Sequence, residues 1–504
     1  MHSDSSAPTP MKKPRVAIVG SGFAGICMAY RLQKAGFHDF TIFEQSGAVG
    51  GTWRDNTYPG AACDVPSHLY SFSFAPNPDW SSMYGKGTEI LAYTRRCVEQ
   101  FGLAPHIRLN AKVASAVYDD ATAQWRVTLA DGTSEDFSFV VAGTGPLSTP
   151  AIPELPGLAS FRGRAFHSAR WDHDLSLEGK NVAVVGTGAS AIQIVPAIAP
   201  RVRRLTLFQR TPAWVLPKPD REIGPRERAL YRRFPLLQRL YRGLLYAFYE
   251  FGVLGMSYFP ALLKPLQKLA ERQIERGIQD PALRKKLVPN YEIGCKRILL
   301  ANDFYATLGR ENVGVCTERI RQVVPEGIVT DDGVTHPLDA IVFCTGFHVT
   351  DGFLKFPVRG PGGRDLDEHW AQEGVQAYLG TQVAGYPNLF FIIGPNTGLG
   401  HNSMIFMIEA QVNYIMSCLE LTRRGGAASI DVRRDVQAGF NRWLRGRLRR
   451  SVWQSGCTSY YLDKDGNNTT LWPAPTVAFW ARTRRAKAAQ QELRAVPRRE
   501  AVPA

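Results

Sequence analysis

The sequence predicts an α/β protein with two dinucleotide-binding, Rossmann-like domains, in which the first domain is discontinuous and the second carries a helical insertion. A strand, a glycine-rich turn and a helical pattern follow one another twice, from residue 16 and from residue 181. Buried strands that end in Gly145 and Gly346 close each unit. A chain of 504 residues is longer than one ordinary core needs, so two or three domains are expected.

The chain is basic, with a net charge of +15 from 60 Lys and Arg against 45 Asp and Glu. The excess is spread, with concentrations at 221–242, 442–450 and 482–499, and no signature of a nucleic-acid-binding fold accompanies it. We expect a solvated basic surface that attracts anionic cofactors, and no nucleic-acid partner. Residues 1–13 and 482–504 have the composition of disordered tails, the second of them basic.

The eight cysteines are scattered and form no C-x-x-C pair. The sequence therefore predicts neither a redox dithiol nor a zinc or other metal site. The even number of cysteines allows disulfides, but no secretory signal is recognisable, which favours reduced thiols in a cytoplasmic protein.

The first glycine-rich turn has the pattern G-x-G-x-x-G and follows a β-branched apolar strand directly. Glycines at these places let backbone N–H groups approach a pyrophosphate at a helix N-terminus, where the helix dipole also favours an anion. The next strand ends in an acid 24 positions after Gly20, where a carboxylate accepts ribose hydroxyls in this fold. The residues predicted to hold this dinucleotide are Gly20, Gly22, Phe23, Ala24, Gly25 and Glu44.

Residues 50–70 are too rich in Gly, Pro and aromatic residues for regular structure and are predicted to form a loop that covers something. The composition alone leaves Asp64 open, because an Asx-turn before Val65 and Pro66 would explain it as well as a functional role. A hairpin from residue 111 follows.

The second turn has Ala in place of the third glycine, and the position 24 residues after Gly186 is Arg210 instead of an acid. A carboxylate there would repel a 2′-phosphate, whereas a guanidinium binds it through charge-assisted hydrogen bonds, so this site is predicted to take NADPH. The alternative interpretation is that Arg210 is an exposed arginine at the end of a strand, with no role in cofactor binding. The predicted site residues are Gly186, Thr187, Gly188, Ala189, Ser190, Ala191, Arg210 and Thr211.

Residues 221–290 are predicted to be a helical insertion that is unusually apolar from 236 to 263. Glu250, two glycines and Pro260 interrupt that run, so a transmembrane helix is not expected. A helical cap over a pocket is the favoured interpretation. The alternative is that the insertion contacts a membrane surface. Nearby arginines would help such contact, namely Arg232, Arg233, Arg239 and Arg242.

The remaining chain returns first to the second domain and then to the first. The predicted domains are 14–150 (first domain), 151–220 (linker and second domain), 221–290 (insertion), 291–384 (second domain) and 385–481 (first domain and a lid loop). The loop at 459–473 fits either a lid over the second cofactor or a surface loop.

The stretch between the two nucleotide patterns reads F-x-G-x-x-x-H-x-x-x-W-D, through Phe161, Gly163, His167, Trp171 and Asp172. No strand, helix or turn rule requires that combination. It resembles the fingerprint of type I Baeyer–Villiger monooxygenases, which are class B flavoprotein monooxygenases. The resemblance implies FAD in the first site, NADPH in the second and insertion of one oxygen atom from O2 next to a ketone carbonyl, through a C4a-peroxyflavin, to give an ester or lactone.

The loop at 50–70 resembles the flavin-covering loop of the same family, in which the tryptophan and the aspartate contact the cofactor. The cofactor contacts implied for this loop and the hairpin are Gly51, Thr52, Trp53, Asp64, Tyr70 and Val113.

The resemblance also implies further residue roles. Lys296 would help to bind the 2′-phosphate, Arg297 would reach the flavin and stabilise the anionic peroxide, and Asp64 would tune Arg297, so Arg297 and Asp64 are the predicted catalytic residues. His167 is expected to act in hinge movement and hydrogen bonding.

Two other functions compete with this prediction. A flavin-containing monooxygenase that oxidises N or S atoms usually has another aromatic residue at the position of Trp171 and no acid at that of Asp172. A non-catalytic flavin-binding or membrane-associated redox sensor would not need Asp64, Lys296 and Arg297 together. The ketone and the oligomeric state are not predicted.

Overall fold

The computed structural model describes residues 14–350 and 353–495. Its strands are short and lie mostly in two parallel sheets. The strands are β1 (Val16–Val19), β2 (Phe40–Phe43), β3 (Ile107–Arg108), β4 (Val113–Asp119), β5 (Gln124–Leu129), β6 (Ser134–Phe137), β7 (Phe139–Ala142), β8 (Arg164–His167), β9 (Asn181–Val185), β10 (Arg204–Phe208), β11 (Val215–Leu216), β12 (Leu299–Leu300), β13 (Val313–Cys316), β14 (Ile320–Val324), β15 (Gly327–Thr330), β16 (Thr335–Pro337), β17 (Ala340–Phe343), β18 (Val358–Arg359), β19 (Leu389–Phe391), β20 (Ser429–Val432) and β21 (Gln491–Arg494).

The helices cover the faces of these sheets and fill the insertion. They are α1 (Phe23–Lys34), α2 (Thr52–Asp55), α3 (Gly87–Gln100), α4 (Ala191–Ile198), α5 (Pro225–Arg233), α6 (Pro235–Glu250), α7 (Lys264–Gly277), α8 (Pro281–Leu287), α9 (Phe304–Leu308), α10 (Leu366–Glu373), α11 (Met404–Arg424), α12 (Arg434–Leu448) and α13 (Thr476–Thr483). A single-turn π-helix spans Leu254–Tyr258, between α6 and α7.

The first parallel sheet has the strand order β19-β7-β1-β2-β3. All four residues of β1 are buried, as its β-branched sequence requires for a central strand covered on both faces. Strand β19 comes from residues 389–391, so this sheet takes its strands from both ends of the chain. A four-stranded sheet, β18-β4-β5-β6, packs beside it.

The second parallel sheet has the order β13-β10-β9-β17-β8 and repeats the design of the first. Strand β9 is central, and α4 begins soon after it, as α1 begins soon after β1. Ligands of open parallel sheets bind beyond the carboxyl ends of the strands. The α/β class with two such units, predicted from the repeated strand-turn-helix pattern, is confirmed.

The fingerprint stretch is more regular than a linker, because β8 is the edge strand of the second sheet and pairs with β17. Packing leaves no room for a side chain at Gly163. A Cβ at Gly163 would lie 2.3 Å from the carbonyl oxygen of Asp339 and 2.6 Å from the ring of Phe161. Gly163 therefore allows the fingerprint stretch to pack closely on Asp339, the residue before β17. Its hinge role stays a prediction.

The helices of the insertion lie between two short paired strands, β11 and β12. This pairing, in a two-stranded sheet of its own, begins two residues after Arg297. Among the described residues, α11 is the one helix long and apolar enough to span a membrane, and 56% of its apolar window is buried inside the protein. It packs against α1 and α13, as a core helix does.

The structure corrects two expectations. The tail predicted at 482–504 is ordered as far as residue 495, because β21 pairs antiparallel with β20 and Gln491 is buried against Tyr414. Cys295 and Cys457 form a disulfide, with their Cα atoms 6.2 Å apart, so the expectation of reduced cysteines is wrong for this pair. The fold joins positions 162 residues apart, which spacing cannot reveal. The tail predicted at 1–13 and the rest of the tail at 496–504 lie outside the described residues.

Candidate active site

A cleft opens at the carboxyl ends of β1, β2 and β7. Its wall includes most of the residues predicted for the first dinucleotide. These are Gly20, Gly22, Phe23, Ala24, Glu44, Gly51, Thr52, Trp53, Tyr70 and Val113. Gly25 lies behind the turn, where an added Cβ would come within 1.9 Å of the Gly20 carbonyl oxygen. Gly25 therefore serves the close packing of α1 on the turn.

The turn is shaped to bring backbone close to a ligand. Gly20 has a φ of +103°, a conformation that favours glycine, and a Cβ there would also meet the carbonyl oxygen of Gly143 at 2.7 Å. Gly51, whose φ is +53°, packs directly on this turn, since its own Cβ would lie 3.1 Å from the Cα of Gly22. Backbone without side chains at the N-terminus of α1 fits a pyrophosphate, and so fits FAD.

Glu44 ends β2 and is 4% exposed. Its carboxylate accepts hydrogen bonds from the Ser21 hydroxyl at 2.7 Å and from the Ser46 backbone N–H at 2.9 Å. Arg54 forms an ion pair with it at 2.8 Å. Burial acts to raise the pKa of this carboxyl, but the hydrogen bonds and Arg54 outweigh it, so the pKa is lowered. Glu44 is thus held as an anion, as a ribose-binding carboxylate must be.

The covering loop is tied together by aromatic residues. The indole N–H of Trp53 donates to the hydroxyl of Tyr70 at 3.2 Å, and the two rings meet edge to face. Tyr70 in turn lies against Phe23 at the start of α1, with ring centroids 5.4 Å apart. The loop therefore folds over the glycine-rich turn and forms one wall of the cleft.

Asp64 and Arg297 form an ion pair that joins this loop to the re-entry of the second domain. The Nε and one Nη of Arg297 donate to a single carboxylate oxygen of Asp64 at 2.9 and 2.6 Å. The negative charge of Asp64 raises the pKa of the Arg297 guanidinium against the opposing effect of burial. The remaining Nη of Arg297 lies 3.5 Å from the Leu399 carbonyl oxygen.

Residues from the C-terminal loop also surround Arg297. Tyr460 and Tyr461 lie within electrostatic range of the guanidinium, and Tyr461 is 2% exposed. The loop is anchored by backbone hydrogen bonds to the segment around Gly398 and by the disulfide from Cys457 to Cys295, two positions before Arg297. The loop at 459–473 is therefore bound to the protein over the pair, and its role as a lid over the second cofactor stays a prediction.

The second site has the same turn geometry as the first. Gly186 has a φ of +109°, and a Cβ there would lie 2.4 Å from the Cys344 carbonyl oxygen. A Cβ at Gly188 would meet open space. The Thr187 hydroxyl donates to the Thr211 carbonyl oxygen at 2.7 Å. The rest of the turn leads into α4, through Ala189, Ser190 and Ala191.

Arg210 and Lys296 are brought together although 86 positions separate them in the sequence. Burial lowers the pKa of the Lys296 ammonium, and the positive charge of Arg210 lowers it further. Lys296 also lies over the Tyr291 ring, 4.9 Å from its centroid. The two cations repel one another, and an anion bound between them would relieve that repulsion, so the pair fits a 2′-phosphate.

The fingerprint side chains bind mainly to one another. Asp172 accepts two hydrogen bonds from Arg164, at 2.8 and 2.6 Å, and Trp171 packs edge to face on Phe166. His167 is buried, and its Nδ1 accepts from the Ala169 N–H at 3.1 Å. Burial lowers the pKa of this imidazole, which favours a neutral ring. This arrangement favours a positioning role for His167 over proton transfer.

The sequence model of flavin-binding monooxygenase-like proteins matches residues 12–360. Two proteins named Baeyer–Villiger monooxygenase, from Pseudomonas aeruginosa and Streptomyces coelicolor, are each 49% identical to this chain. The matches cover 98% and 96% of this chain and 94% and 93% of those proteins. The chain belongs to the flavin-binding monooxygenase-like family. Its resemblance to Baeyer–Villiger monooxygenases is confirmed.

Solved structures agree with this assignment. A steroid monooxygenase bound to NADP superposes with a TM-score of 0.86 at 30% identity, over 96% of this chain and 100% of that one. A cyclohexanone monooxygenase from Rhodococcus sp. Phi1 bound to NADP+ gives 0.85 at 27% identity, over 96% and 99%. The predictions of an enzyme and of a flavoprotein monooxygenase are confirmed. The roles of individual site residues stay predictions.

This monooxygenase also has site residues that the sequence did not single out. Arg54, which pairs with Glu44, lines the first cleft, and Met404 and Ile408 of α11 close its far wall. Gln193 of α4 exchanges two hydrogen bonds with the backbone of Ala62, at 3.0 and 3.3 Å. Gln193 therefore ties the loop that carries Asp64 to the helix of the second site, a contact for which no sequence pattern exists.

Proposed function

We propose that this monooxygenase uses NADPH and O2 to insert one oxygen atom next to a ketone carbonyl and releases an ester or lactone. Bound FAD, reduced by NADPH, supplies the electrons that activate O2. The observation that carries the proposal is the ion pair between Asp64 and Arg297, which lies where the loop over the first cleft meets the second site.

The first cleft is the FAD site. The glycine-rich turn at Gly20 and Gly22 binds the pyrophosphate at the N-terminus of α1, and Glu44 accepts the ribose hydroxyls. Trp53 and Tyr70 hold the covering loop closed on that side and exclude water. The same loop carries Asp64, which holds Arg297 through the ion pair.

The second site takes NADPH in preference to NADH. The turn at Gly186 and Gly188 binds the pyrophosphate, while Arg210 and Lys296 bind the 2′-phosphate as a pair of cations. Lys296 and Arg297 are neighbours in sequence, so one short segment binds the cofactor's phosphate and also places the second cation towards the first cleft.

Arg297 contributes a positive charge that does not depend on pH. Oxygen transfer to a ketone places negative charge on oxygen, and a guanidinium stabilises such charge without losing its own proton. Asp64 binds only one edge of the guanidinium, through its Nε and one Nη. The other Nη is held only by the long contact to Leu399, so it is available to a reacting oxygen.

A ketone is the proposed substrate class, and its identity is open. A cyclohexanone monooxygenase of known structure, 27% identical to this chain, binds ε-caprolactone. A six-membered cyclic ketone is therefore a sensible first member of a substrate panel. A cytoplasmic location stays part of the proposal.

The test is product analysis of the purified FAD-loaded enzyme with NADPH, air and a panel of cyclic and linear ketones. We expect NADPH-dependent O2 consumption that a ketone stimulates, together with ester or lactone detected by gas chromatography. With 18O2, one labelled atom should appear in each product molecule. Oxidation of amines or sulfides with no ester from any ketone would favour the flavin-containing monooxygenase alternative and contradict the proposal.

A further inference from the structure

The insertion exposes an unusual concentration of large apolar side chains. Thirteen of the 23 exposed large hydrophobic residues in the described part of the chain lie between residues 230 and 269. Five of them follow one another at helical spacing along and just beyond α6. These five, which we call the apolar stripe, are Leu236, Leu240, Leu244, Phe248 and Phe251, and they are 62–72% exposed.

The orientation of α6 is fixed by its opposite face, which is polar and buried. Gln238 is 3% exposed and donates to the Asn77 carbonyl oxygen at 2.7 Å. Arg242 donates to the His68 carbonyl oxygen at 2.6 Å, and Tyr249 shares a 2.7 Å hydrogen bond with Tyr84. A soluble surface helix points its apolar side inwards, whereas α6 does the reverse. Rotating the helix to bury the stripe would break all of these hydrogen bonds.

The apolar surface continues beyond the stripe. The chain bends back through the π-helix at Leu254–Tyr258, and Phe259 and Leu262 are 61% and 55% exposed. At the other side, α13 meets the end of α6 through a hydrogen bond from Thr476 to Glu250, and exposes Val477 and Trp480. Contiguous apolar patches of this kind mark interaction sites on soluble proteins.

The surroundings of the stripe are strongly basic. Residues 228–270 contain seven Lys and Arg and a single acid. That acid, Glu250, points inwards and accepts hydrogen bonds from Asn402 at 2.9 Å and Thr476 at 2.7 Å. Arg242 is held on the inner face, so the cations that can flank the stripe are Arg228, Arg232, Arg233, Arg239, Lys264 and Lys268.

Further cations lie at the margins of the patch. Arg484 lies over the ring of Trp480, 5.3 Å from its centroid, and Arg447 lies over Tyr258 at 4.9 Å. Tryptophan and arginine side chains paired at the edge of an apolar surface are typical of elements that lie at a membrane–water interface.

We propose that the apolar stripe and its neighbours dock on an anionic lipid bilayer, with α6 lying in the plane of the interface. Leucine and phenylalanine side chains would enter the acyl boundary while the flanking cations contact anionic headgroups. Helix α6 has 16 residues and is bounded by Pro235 and the break at Phe251, so it lies on the bilayer and does not cross it.

A second copy of the chain fits this surface less well. In a two-fold dimer the same patch meets itself, so the flanking arginines of both copies would face one another. Such like-charge contacts disfavour the pairing, whereas the same cations are attracted by a lipid surface that carries the opposite charge.

The position of α6 gives docking a consequence for substrate access. On the inner side of α6, Tyr249 shares a hydrogen bond with Tyr84, and Glu250 accepts one from Asn402, just before α11. Helix α11 lines the first cleft through Met404 and Ile408, so one helix faces lipid on one side and the surroundings of the cleft on the other. If the proposed function holds, ketones that dissolve in the bilayer can enter along α6. Docking itself does not depend on that function.

The test is flotation of the full-length FAD-loaded protein with vesicles of phosphatidylcholine alone or of phosphatidylcholine with an equal amount of phosphatidylglycerol. We expect binding to the anionic vesicles, weaker binding in 0.5 M salt because salt screens the headgroup attraction, and little binding to phosphatidylcholine. The variant Leu240→Gln/Leu244→Gln/Phe248→Gln should bind at least tenfold more weakly, since each large side chain buried in lipid contributes about a factor of ten.

The matched control is Leu109→Gln/Val117→Gln/Val334→Gln, which replaces three exposed apolar residues outside the insertion and should bind like the wild type. All six positions are exposed, so unfolding temperature should change little in either variant. Absence of binding to anionic vesicles, or equal binding by both variants, would overturn the proposal. So would a wild-type dimer that the α6 variant dissociates and that does not float with vesicles, which would assign the surface to a second copy.

Discussion

Asp64 and Arg297 are 233 positions apart, yet two nitrogens of the guanidinium donate to one oxygen of the carboxylate at 2.9 and 2.6 Å. The contact leaves the second carboxylate oxygen and one edge of the guanidinium free of this pairing. Asp64 therefore orients Arg297 from the side, and the remaining Nη lies 3.5 Å from the Leu399 carbonyl oxygen.

Replacing Arg297 with Ala should separate the two halves of the reaction. Flavin reduction by NADPH should continue near the wild-type rate, because Arg210 and Lys296 still bind the cofactor, whereas ester formation should fall by about 100-fold to 1,000-fold. Stopped-flow absorbance measures the first step and gas chromatography the second. Arg297→Lys is the matched control and should recover part of the ester yield because it restores a cation. Ester formation by the alanine variant at the normal rate would contradict the assigned role.

The pairing of Arg210 with Lys296 predicts how the enzyme distinguishes its nicotinamide cofactors. Arg210→Ala should raise the KM for NADPH by about tenfold to 100-fold, as expected for the loss of a charge-assisted contact, while kinetics with NADH change little. Steady-state oxidation of both cofactors measures the ratio. Equal use of NADPH and NADH by the wild type would refute the 2′-phosphate argument.

The sequence predicted those parts of the site that depend on local geometry. The turns at Gly20 and Gly186 need positive φ and close backbone contact, and both requirements can be read from glycine placement. Arg210 could be found because the spacing from its turn is fixed by the fold. The prediction that Asp64 acts on Arg297, in contrast, depended on the resemblance to a family. Either residue alone has an ordinary structural explanation.

What the sequence could not predict depends on distant contacts. Residues 491–494 look like a basic tail, but Gln491 donates to the Tyr414 hydroxyl at 3.0 Å and the segment completes a sheet edge. The bond between Cys295 and Cys457 and the bridge from Gln193 to Ala62 likewise join segments more than 100 positions apart. Composition and periodicity carry no information about such partners.

The disulfide predicts a definite thiol count. Unfolding the protein without reductant should expose six reactive thiols, and unfolding it with reductant should expose all eight. A thiol reagent assay under denaturing conditions measures both numbers. Eight thiols without reductant would show that the pair is reduced in solution.

The same disulfide should stabilise the loop over Arg297. Cys457→Ser removes a cross-link between positions 162 apart and should lower the free energy of unfolding by about 2–4 kcal/mol. Protease cleavage within 455–473 should become faster. Cys27→Ser, at a buried free cysteine, is the comparison and should leave that cleavage unchanged. Equal cleavage of the two variants would mean that the loop is held by its backbone hydrogen bonds alone.

The packing at Gly163 predicts that this fingerprint position tolerates no side chain. Gly163→Ala should lower the free energy of unfolding by about 1–3 kcal/mol, because its Cβ would lie 2.3 Å from the Asp339 carbonyl oxygen. Gly439→Ala in α12 is the control, since a Cβ there meets open space and alanine favours a helix by up to about 1 kcal/mol. Urea unfolding compares them. A neutral effect at Gly163 would show that the edge strand β8 can move away.

Asp431 predicts a pH dependence of stability. It pairs with Glu492 between β20 and β21, and its Oδ2 accepts from the Gly385 N–H at 2.9 Å. Its Oδ1 is buried without a hydrogen-bond partner among the described residues. Burial raises the pKa of this carboxyl from 3.8 to about 7. Between these two pH values, a carboxyl whose pKa is raised by folding binds more protons in the folded protein than in the unfolded chain. The free energy of unfolding should therefore fall as pH rises from about 4 to 7, by on the order of a few kcal/mol.

Asp431→Asn keeps the acceptor for the Gly385 N–H and removes the titration. Its stability should exceed that of the wild type at pH 8, and the difference should shrink or reverse at pH 4, where the wild-type carboxyl is neutral. Urea unfolding at pH 4, 6 and 8 measures both profiles. Asp435→Asn is the control, because Asp435 lies on the surface of α12 and Arg433 lowers its pKa. Its free energy of unfolding should fall with rising pH as that of the wild type does. Parallel profiles for the wild type and Asp431→Asn would place the titrating group elsewhere.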